Sequence, residues 1–130
     1  MYCAVHSMGL MGIDGYPVTV EASLERGMPS FDLVGLPDAA VRESKDRVRA
    51  VVVALCQSFP TARLIVNLAP ADTRKTGSVY DLPILVAILQ AAGFLQAPLE
   101  EAAFLGELSL SGGVRPVDGV LSMVLAAREQ

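Results

Sequence analysis

The feature that most constrains this chain is a polar loop, marked by glycine and proline, that lies between two strongly apolar segments. Residues 63–68 are rich in β-branched side chains and predict a strand, whereas the apolar run at residues 82–92 predicts a buried helix. Asp81 stands where an N-cap would accept from free N–H groups of that helix, and Pro83 suits its first turn. Because functional residues concentrate in loops held by rigid elements, the loop at residues 67–84 is the first candidate site.

The rest of the chain alternates strand and helix patterns. Strands are predicted at residues 2–6, 16–24, 31–34, 103–110 and 113–117, and helices at residues 38–56 and from about residue 118 onward. Asp38 is the predicted N-cap of the first helix, and Ser111-Gly112-Gly113 predicts a tight hairpin. The opening strands are expected to form an antiparallel ribbon with one wet face.

Composition limits the class of protein. The chain has 130 residues, of which 52% are hydrophobic and 18% charged, so it has enough apolar surface for one folded domain and is not a disordered tail. The apolar excess predicts a buried sheet or an exposed patch for a partner. The formal net charge of −4 lacks the broad positive field of non-specific nucleic-acid binding, so any DNA contact must be local.

Several kinds of site lack the residues they need. Cys3 and Cys56 fit neither a disulfide framework nor a zinc site. His6 is the only histidine, which excludes a histidine-based triad and a multi-histidine metal site. No basic leader precedes an apolar stretch, and no apolar run is long enough to span a bilayer, so we expect a cytoplasmic protein without a membrane segment.

Three sequence blocks carry a resemblance to a known family. They are the loop Asn67-Leu-Ala-Pro-Ala-Asp-Thr-Arg-Lys-Thr-Gly-Ser-Val-Tyr-Asp-Leu-Pro-Ile84, the segment Leu33-Val-Gly-Leu-Pro-Asp-Ala-Ala-Val-Arg-Glu-Ser-Lys-Asp-Arg-Val-Arg49 and the segment Phe104-Leu-Gly-Glu-Leu-Ser-Leu-Ser-Gly-Gly-Val-Arg-Pro-Val-Asp-Gly119. Over nearly all its length the chain resembles the N-terminal domain of the YifB/ComM family of magnesium-chelatase-like AAA+ ATPases. The resemblance implies an α+β fold like the Lon protease domain and domain 2 of ribosomal protein S5. Its mixed, mostly antiparallel sheet would carry helices on one face.

The resemblance also implies a place in a larger protein. Residues 1–130 would be a single N-terminal domain, truncated at its C-terminal end because the last helical pattern reaches Gln130 without a C-cap. The AAA+ module would follow in the same chain, with ATP and magnesium as cofactors of the parent protein and none in this domain. The parent would resemble competence-associated DNA branch-migration helicases that form homo-oligomeric rings. This domain would then be a non-catalytic accessory part that contributes to assembly or DNA guidance.

The Lon resemblance raises the question of a Ser-Lys dyad. Matching the patterns places the nucleophile at Asp81 and the lysine at or near Leu121, and neither residue can do that chemistry. The domain is therefore predicted not to be an enzyme. One alternative is a peptidase or hydrolase with a displaced nucleophile, for which Ser78 and Lys75 are the available pair. Another is an S5-type nucleic-acid-binding module.

The remaining candidates are charged residues. No phosphate-binding P-loop occurs, but Arg74 and Lys75 precede a helix N-terminus and could contact an anion. A second group of candidate contacts to a partner or to an anion lies on the first helix and consists of Arg42, Lys45 and Arg49. The alternative is that these side chains form a solvated face of the helix. Glu43 and Arg47 are spaced to attract each other on that helix. Asp72 and Asp81 bracket the loop and are candidate magnesium ligands; the alternative roles are a turn for Asp72 and a helix cap for Asp81.

Overall fold

Four strands form the central sheet. In the computed structural model, which describes residues 1–130, the strands are β1 (Tyr2–Met11), β2 (Asp14–Glu25), β3 (Ser30–Val34) and β4 (Arg63–Ala69). Their order in the sheet is β1-β2-β4-β3, with β1–β2 and β2–β4 antiparallel and β3–β4 parallel. The sheet is thus mixed and mostly antiparallel, as predicted.

The first strand is longer than the sequence pattern indicated. Pairing continues to Met11 opposite Asp14, and the tight turn holds Gly12 at a φ of 63°. The predicted end at residue 6 was wrong because alternation is lost beyond it: Ser7 and Met8 are both buried. Main-chain pairing across the hairpin therefore extends the strand where the side-chain pattern fails.

Four helices complete the main body: α1 (Ala39–Arg42), α2 (Ser44–Cys56), α3 (Asp81–Ala91) and α4 (Val120–Arg128). The single helix predicted at residues 38–56 is divided at Glu43, which ends α1 and precedes α2. The cap prediction for Asp38 is confirmed, because its Oδ1 accepts from the Val41 N–H at 2.7 Å. The predicted late hairpin forms as β5 (Glu107–Leu108) and β6 (Val114–Arg115), each shorter than expected.

Helix α3 lies at the centre of the core. Its side chains are buried nearly all round, and it contacts β1, β2 and α2. Alternate residues of β2 and β4 complete the core, among them Val20 and Val66, both fully buried. None of the helices combines the length and the apolar character needed to cross a membrane. The apolar sequence of α3 is explained by this central position.

The open face of the sheet is polar. Glu21 accepts from the Tyr2 hydroxyl at 2.6 Å and from the Asn67 side-chain amide at 2.9 Å. These cross-strand bonds account for the wet face predicted for β2. The structure is therefore an α+β domain with a mostly antiparallel sheet and helices, as predicted, while the specific match to ribosomal protein S5 domain 2 stays a prediction.

Gly35, directly after β3, is the backbone position that tolerates a side chain least. Its φ is +105°, and an added Cβ would collide with the Leu68 carbonyl group. Gly77 also has a positive φ, of +84°, but an added Cβ there meets nothing within 4 Å. We expect Gly77→Ala to cost about 1–2 kcal/mol from conformation alone. Gly35→Ala should cost about 1–3 kcal/mol more, because a collision is added.

Urea unfolding of the two variants measures this difference. Equal destabilisation would contradict the close approach of the β3–α1 loop to β4.

Candidate functional site

Asp81, the first residue of α3, is the centre of a buried polar cluster. Its side chain has no exposed surface, and both carboxylate oxygens accept hydrogen bonds. Oδ2 accepts from Arg47 Nε at 2.6 Å and from the Leu108 main-chain N–H at 3.0 Å. Oδ1 accepts from Arg47 Nη2 at 3.1 Å and from the Ser44 hydroxyl. We call Ser44, Arg47, Asp81 and the Leu108 N–H the carboxylate cluster; it joins α2, α3 and β5.

The cluster balances charge as well as hydrogen bonds. Arg47 binds the carboxylate through two nitrogens, the geometry in which guanidinium–carboxylate pairs are strongest. The hydrogen bonds to Asp81 raise the pKa of the Arg47 guanidinium, against the opposing effect of partial burial. The predicted attraction between Glu43 and Arg47 is confirmed, at 3.6 Å, and holds the outer side of the guanidinium. Asp81 is thus enclosed by donors from three elements.

The prediction that Asp81 caps α3 was wrong. The helix begins at Asp81 itself, and the preceding Tyr80 provides no side-chain cap. Main-chain acceptors satisfy early donors instead, since the Leu82 N–H donates to the Gly106 carbonyl at 3.0 Å. The Asp81 side chain points to α2, because a charged pair with Arg47 in the interior is stronger than a local cap.

The two positions matched to a Lon-type dyad lie in different environments. Asp81 is buried and bonded to α2, whereas Leu121 on α4 is 72% exposed. A nucleophile and its base must be within hydrogen-bonding reach of each other. Leu121 has no group that could take up a proton, and the hydroxyl that is bonded to Asp81 belongs to the fully buried Ser44.

Lys75 is buried too, and it joins two loops. Its Nζ donates to the Gly35 carbonyl at 2.9 Å and to the Pro70 carbonyl, so its ammonium is directed into the protein. Its main-chain N–H donates to Leu36 at 2.9 Å, and its carbonyl accepts from Asp38 at 2.9 Å. Burial lowers the pKa of the Lys75 ammonium. We call these contacts the lysine clasp; it connects the loop after β3 with the loop after β4.

The lysine clasp changes the interpretation of the neighbouring candidates. Lys75 bonds carbonyl oxygens rather than presenting its charge to an anion, and Ser78 is not among its partners. Arg74 is exposed, and Asp72 is exposed and accepts from Thr73 at 3.3 Å. No group of three or more histidine, cysteine, aspartate or glutamate residues is arranged to hold a metal ion. Of the loop candidates, Arg74 alone presents a positive charge at the surface.

The basic candidates of the first helical region lie beside a pair of aromatic rings. Phe31 and Phe59 stack with centroids 5.5 Å apart. The Arg49 guanidinium lies 4.4 Å from the Phe59 centroid, and Lys45 Nζ lies 5.7 Å from that of Phe31. Such cation–π contacts hold both cations over the rings. We call these four residues the aromatic–cation cluster.

A groove runs along β3 next to this cluster. It has a volume of about 660 Å³, and its charged lining consists of Arg42, Lys45 and Arg63 with Asp32 and Asp46. We call it the edge groove. The structure thus brings Arg42 and Lys45 together at one surface and places Arg49 beside it. Sequence inspection misses Arg63 and the aromatic pair, because only the parallel β3–β4 pairing brings these segments together.

Removing the Asp81 carboxylate tests the carboxylate cluster. We expect Asp81→Ala to destabilise the domain by about 3–5 kcal/mol, because the mostly buried Arg47 keeps only its outer pair with Glu43, and Ser44 and the Leu108 N–H lose their acceptor. Asp81→Ser should be nearly as damaging, since the shorter side chain loses the charge and the reach to α2. Asp72→Ala is the matched control, expected within about 0.5 kcal/mol of the wild type. If urea unfolding found that serine retained the stability, local capping would be the correct role after all.

Lys75→Met tests the lysine clasp, because it keeps the apolar stem and removes the donor from two carbonyl groups. The expected loss is about 1–3 kcal/mol, against no more than about 0.5 kcal/mol for the exposed control Arg74→Met. Because burial lowers the pKa of the Lys75 ammonium, the folded protein binds the proton of this group less tightly than the unfolded chain does. The stability of the wild type relative to Lys75→Met should therefore rise with pH up to the ordinary lysine pKa of about 10.4. Urea unfolding across alkaline pH checks the sign, and a falling difference would contradict it.

Comparison with known proteins identifies the family. The family model described as subunit ChlI of Mg-chelatase matches residues 20–130. The protein Rv2897c of Mycobacterium tuberculosis strain H37Rv is 50% identical over 125 residues, which cover 94% of this chain and 24% of the relative. YifB of Escherichia coli K12 is 40% identical over 124 residues, covering 95% of this chain and 24% of YifB.

A third relative has a functional name. The competence protein ComM of Haemophilus influenzae is 44% identical over 126 residues, which cover 96% of this chain and 25% of ComM. The chain therefore spans about a quarter of the length of these relatives. As its sequence motifs predicted, this chain belongs to the Mg-chelatase subunit ChlI family, together with YifB and ComM.

Proposed function

We propose that this domain is a non-catalytic accessory part of a magnesium-chelatase-like AAA+ ATPase, and that it contributes to assembly of the protein or to guidance of DNA. The parent protein would resemble the competence-associated DNA branch-migration helicases. It would form a homo-oligomeric ring in the cytoplasm and contact DNA. The domain itself would contact the AAA+ module of its own chain.

The observation that supports this proposal most is the environment of Asp81. The residue matched to a Lon-type nucleophile is a carboxylate enclosed by Ser44, Arg47 and the Leu108 N–H. All its oxygen atoms are bonded to the protein, and it has no exposed surface. A group that touches substrate needs at least one free direction, so a structural role fits this carboxylate better than a chemical one.

The relatives support a division of labour between parts of a longer chain. The domain corresponds to about a quarter of ComM and of YifB, and its 130 residues include no P-loop. We therefore assign ATP, magnesium and hydrolysis to the AAA+ module of the parent. The name of ComM as a competence protein supports a link to DNA for the parent protein.

The basic surface beside β3 supports a contact role for the domain. The chain has a net charge of −4, yet in the edge groove the cations Arg42, Lys45 and Arg63 outnumber the two carboxylates of the lining. A local cluster of cations in a negative domain favours a specific contact over broad electrostatic binding. The hydrolase alternative gains no such support, because the Lys75 ammonium is bound to carbonyl groups.

Charge reversal in the full-length protein tests the proposal. We expect Arg42→Glu with Lys45→Glu to lower ring assembly or DNA-stimulated ATP hydrolysis about tenfold, because close charge pairs across a contact are worth more than 1.4 kcal/mol. Arg74→Glu is the control, since this exposed arginine lies on another loop. Sedimentation and ATPase assays give the two readouts, and a double variant with wild-type values in both would refute the contact role.

A further inference from the structure

Strand β3 has an open edge. It pairs with β4 alone, and the Ser30 N–H donates to the Ala62 carbonyl at 3.2 Å. In a parallel pair every second residue directs its main-chain groups to the neighbour, so Ser30, Asp32 and Val34 face β4. The N–H and C=O groups of Phe31 and Leu33 therefore point away from the sheet. They offer donors and acceptors in the spacing of a further strand.

The edge groove lies along these free groups and has a definite charge pattern. On the helical side, Arg42 and Lys45 form its wall, and Lys45 is held over the Phe31 ring. Apolar surface from Leu33 and Val34 lines the strand itself. A segment that enters this groove can therefore satisfy main-chain groups, apolar contacts and two cations at once.

Nucleic acid fits these features less well. A phosphate backbone carries a charge at every nucleotide and would meet Asp32 and Asp46 in the same groove, whereas an extended peptide can direct its carboxylates to the side of Arg42 and Lys45. The rings of Phe31 and Phe59 stack on each other and are covered by cations, so they are not free to stack on bases. A second copy of the domain also fits poorly, because pairing two such edges would bring two sets of the same cations together.

We propose that the edge groove binds an extended polypeptide segment with acidic side chains, which adds to the sheet as a fifth strand beside β3. Main-chain hydrogen bonds to Phe31 and Leu33 would supply affinity, and carboxylates facing Arg42 and Lys45 would supply specificity. The inference rests on the proposed function, because it names the class of partner for that contact surface.

The test uses the 130-residue chain and two probes, a capped seven-residue peptide of alternating valine and glutamate and its valine–lysine counterpart. We expect the acidic peptide to bind and the basic one not to bind. Arg42→Glu with Lys45→Glu should weaken binding about tenfold, while Arg74→Glu leaves it unchanged. Amide hydrogen exchange gives the specific readout: bound peptide should protect the Phe31 and Leu33 amides and leave the Asp32 amide, already paired with β4, little changed.

Each other result overturns the proposal. No binding of the acidic peptide, equal binding of both peptides, or binding without protection of Phe31 and Leu33 would each exclude strand addition here. Protection of these amides by a single-stranded DNA oligonucleotide instead would identify nucleic acid as the occupant. The acidic peptide could fail to bind while the full-length double variant still shows impaired assembly. That result would refute this inference and would still support the proposed function.

Discussion

The buried pair of Asp81 and Arg47 is the interaction on which the rest of the structure depends. It fixes the start of the central helix α3 against α2, and the Leu108 N–H attaches the small hairpin to the same carboxylate. A buried pair of this kind contributes little net stability against an apolar alternative, but breaking one half is costly. The cluster therefore sets the relative positions of three elements and makes each partner dependent on the others.

The three sequence blocks that indicate the family meet at the two polar clusters of the interior. The block at residues 33–49 supplies Ser44 and Arg47, the block at residues 67–84 supplies Lys75 and Asp81, and the block at residues 104–119 supplies the Leu108 N–H. The residues of these motifs thus hold loops and helices in place relative to one another. This explains how a loop rich in polar residues can be mainly structural, while the surface suited to a partner lies elsewhere, along β3.

Local patterns were sufficient for much of the fold. Alternation in β2, the β-branched run of β4 and the apolar run of α3 each predicted the correct element, because burial alone decides them. The cap at Asp38 was predictable because its partner, Val41, lies three residues away.

The features that the sequence did not reveal depend on distant residues. Asp81 has the chemistry of a cap, and only the packing of α2 directs its carboxylate to Arg47, 34 residues earlier in the chain. Lys75 has the chemistry of an anion contact, and only the approach of the Gly35 and Pro70 carbonyls turns it inward. The pairing of β3 with β4 likewise creates the edge groove from segments that are far apart in sequence.

The central claim is that Asp81 is enclosed by donors from α2 and β5, and nuclear magnetic resonance tests it most directly through two protons. The Arg47 Nε–H and the Leu108 main-chain N–H should exchange with solvent much more slowly than exposed protons of the same kinds, because both donate to a carboxylate with no exposed surface. Exchange of both protons at the rate of an unprotected loop, in a folded domain, would contradict the account.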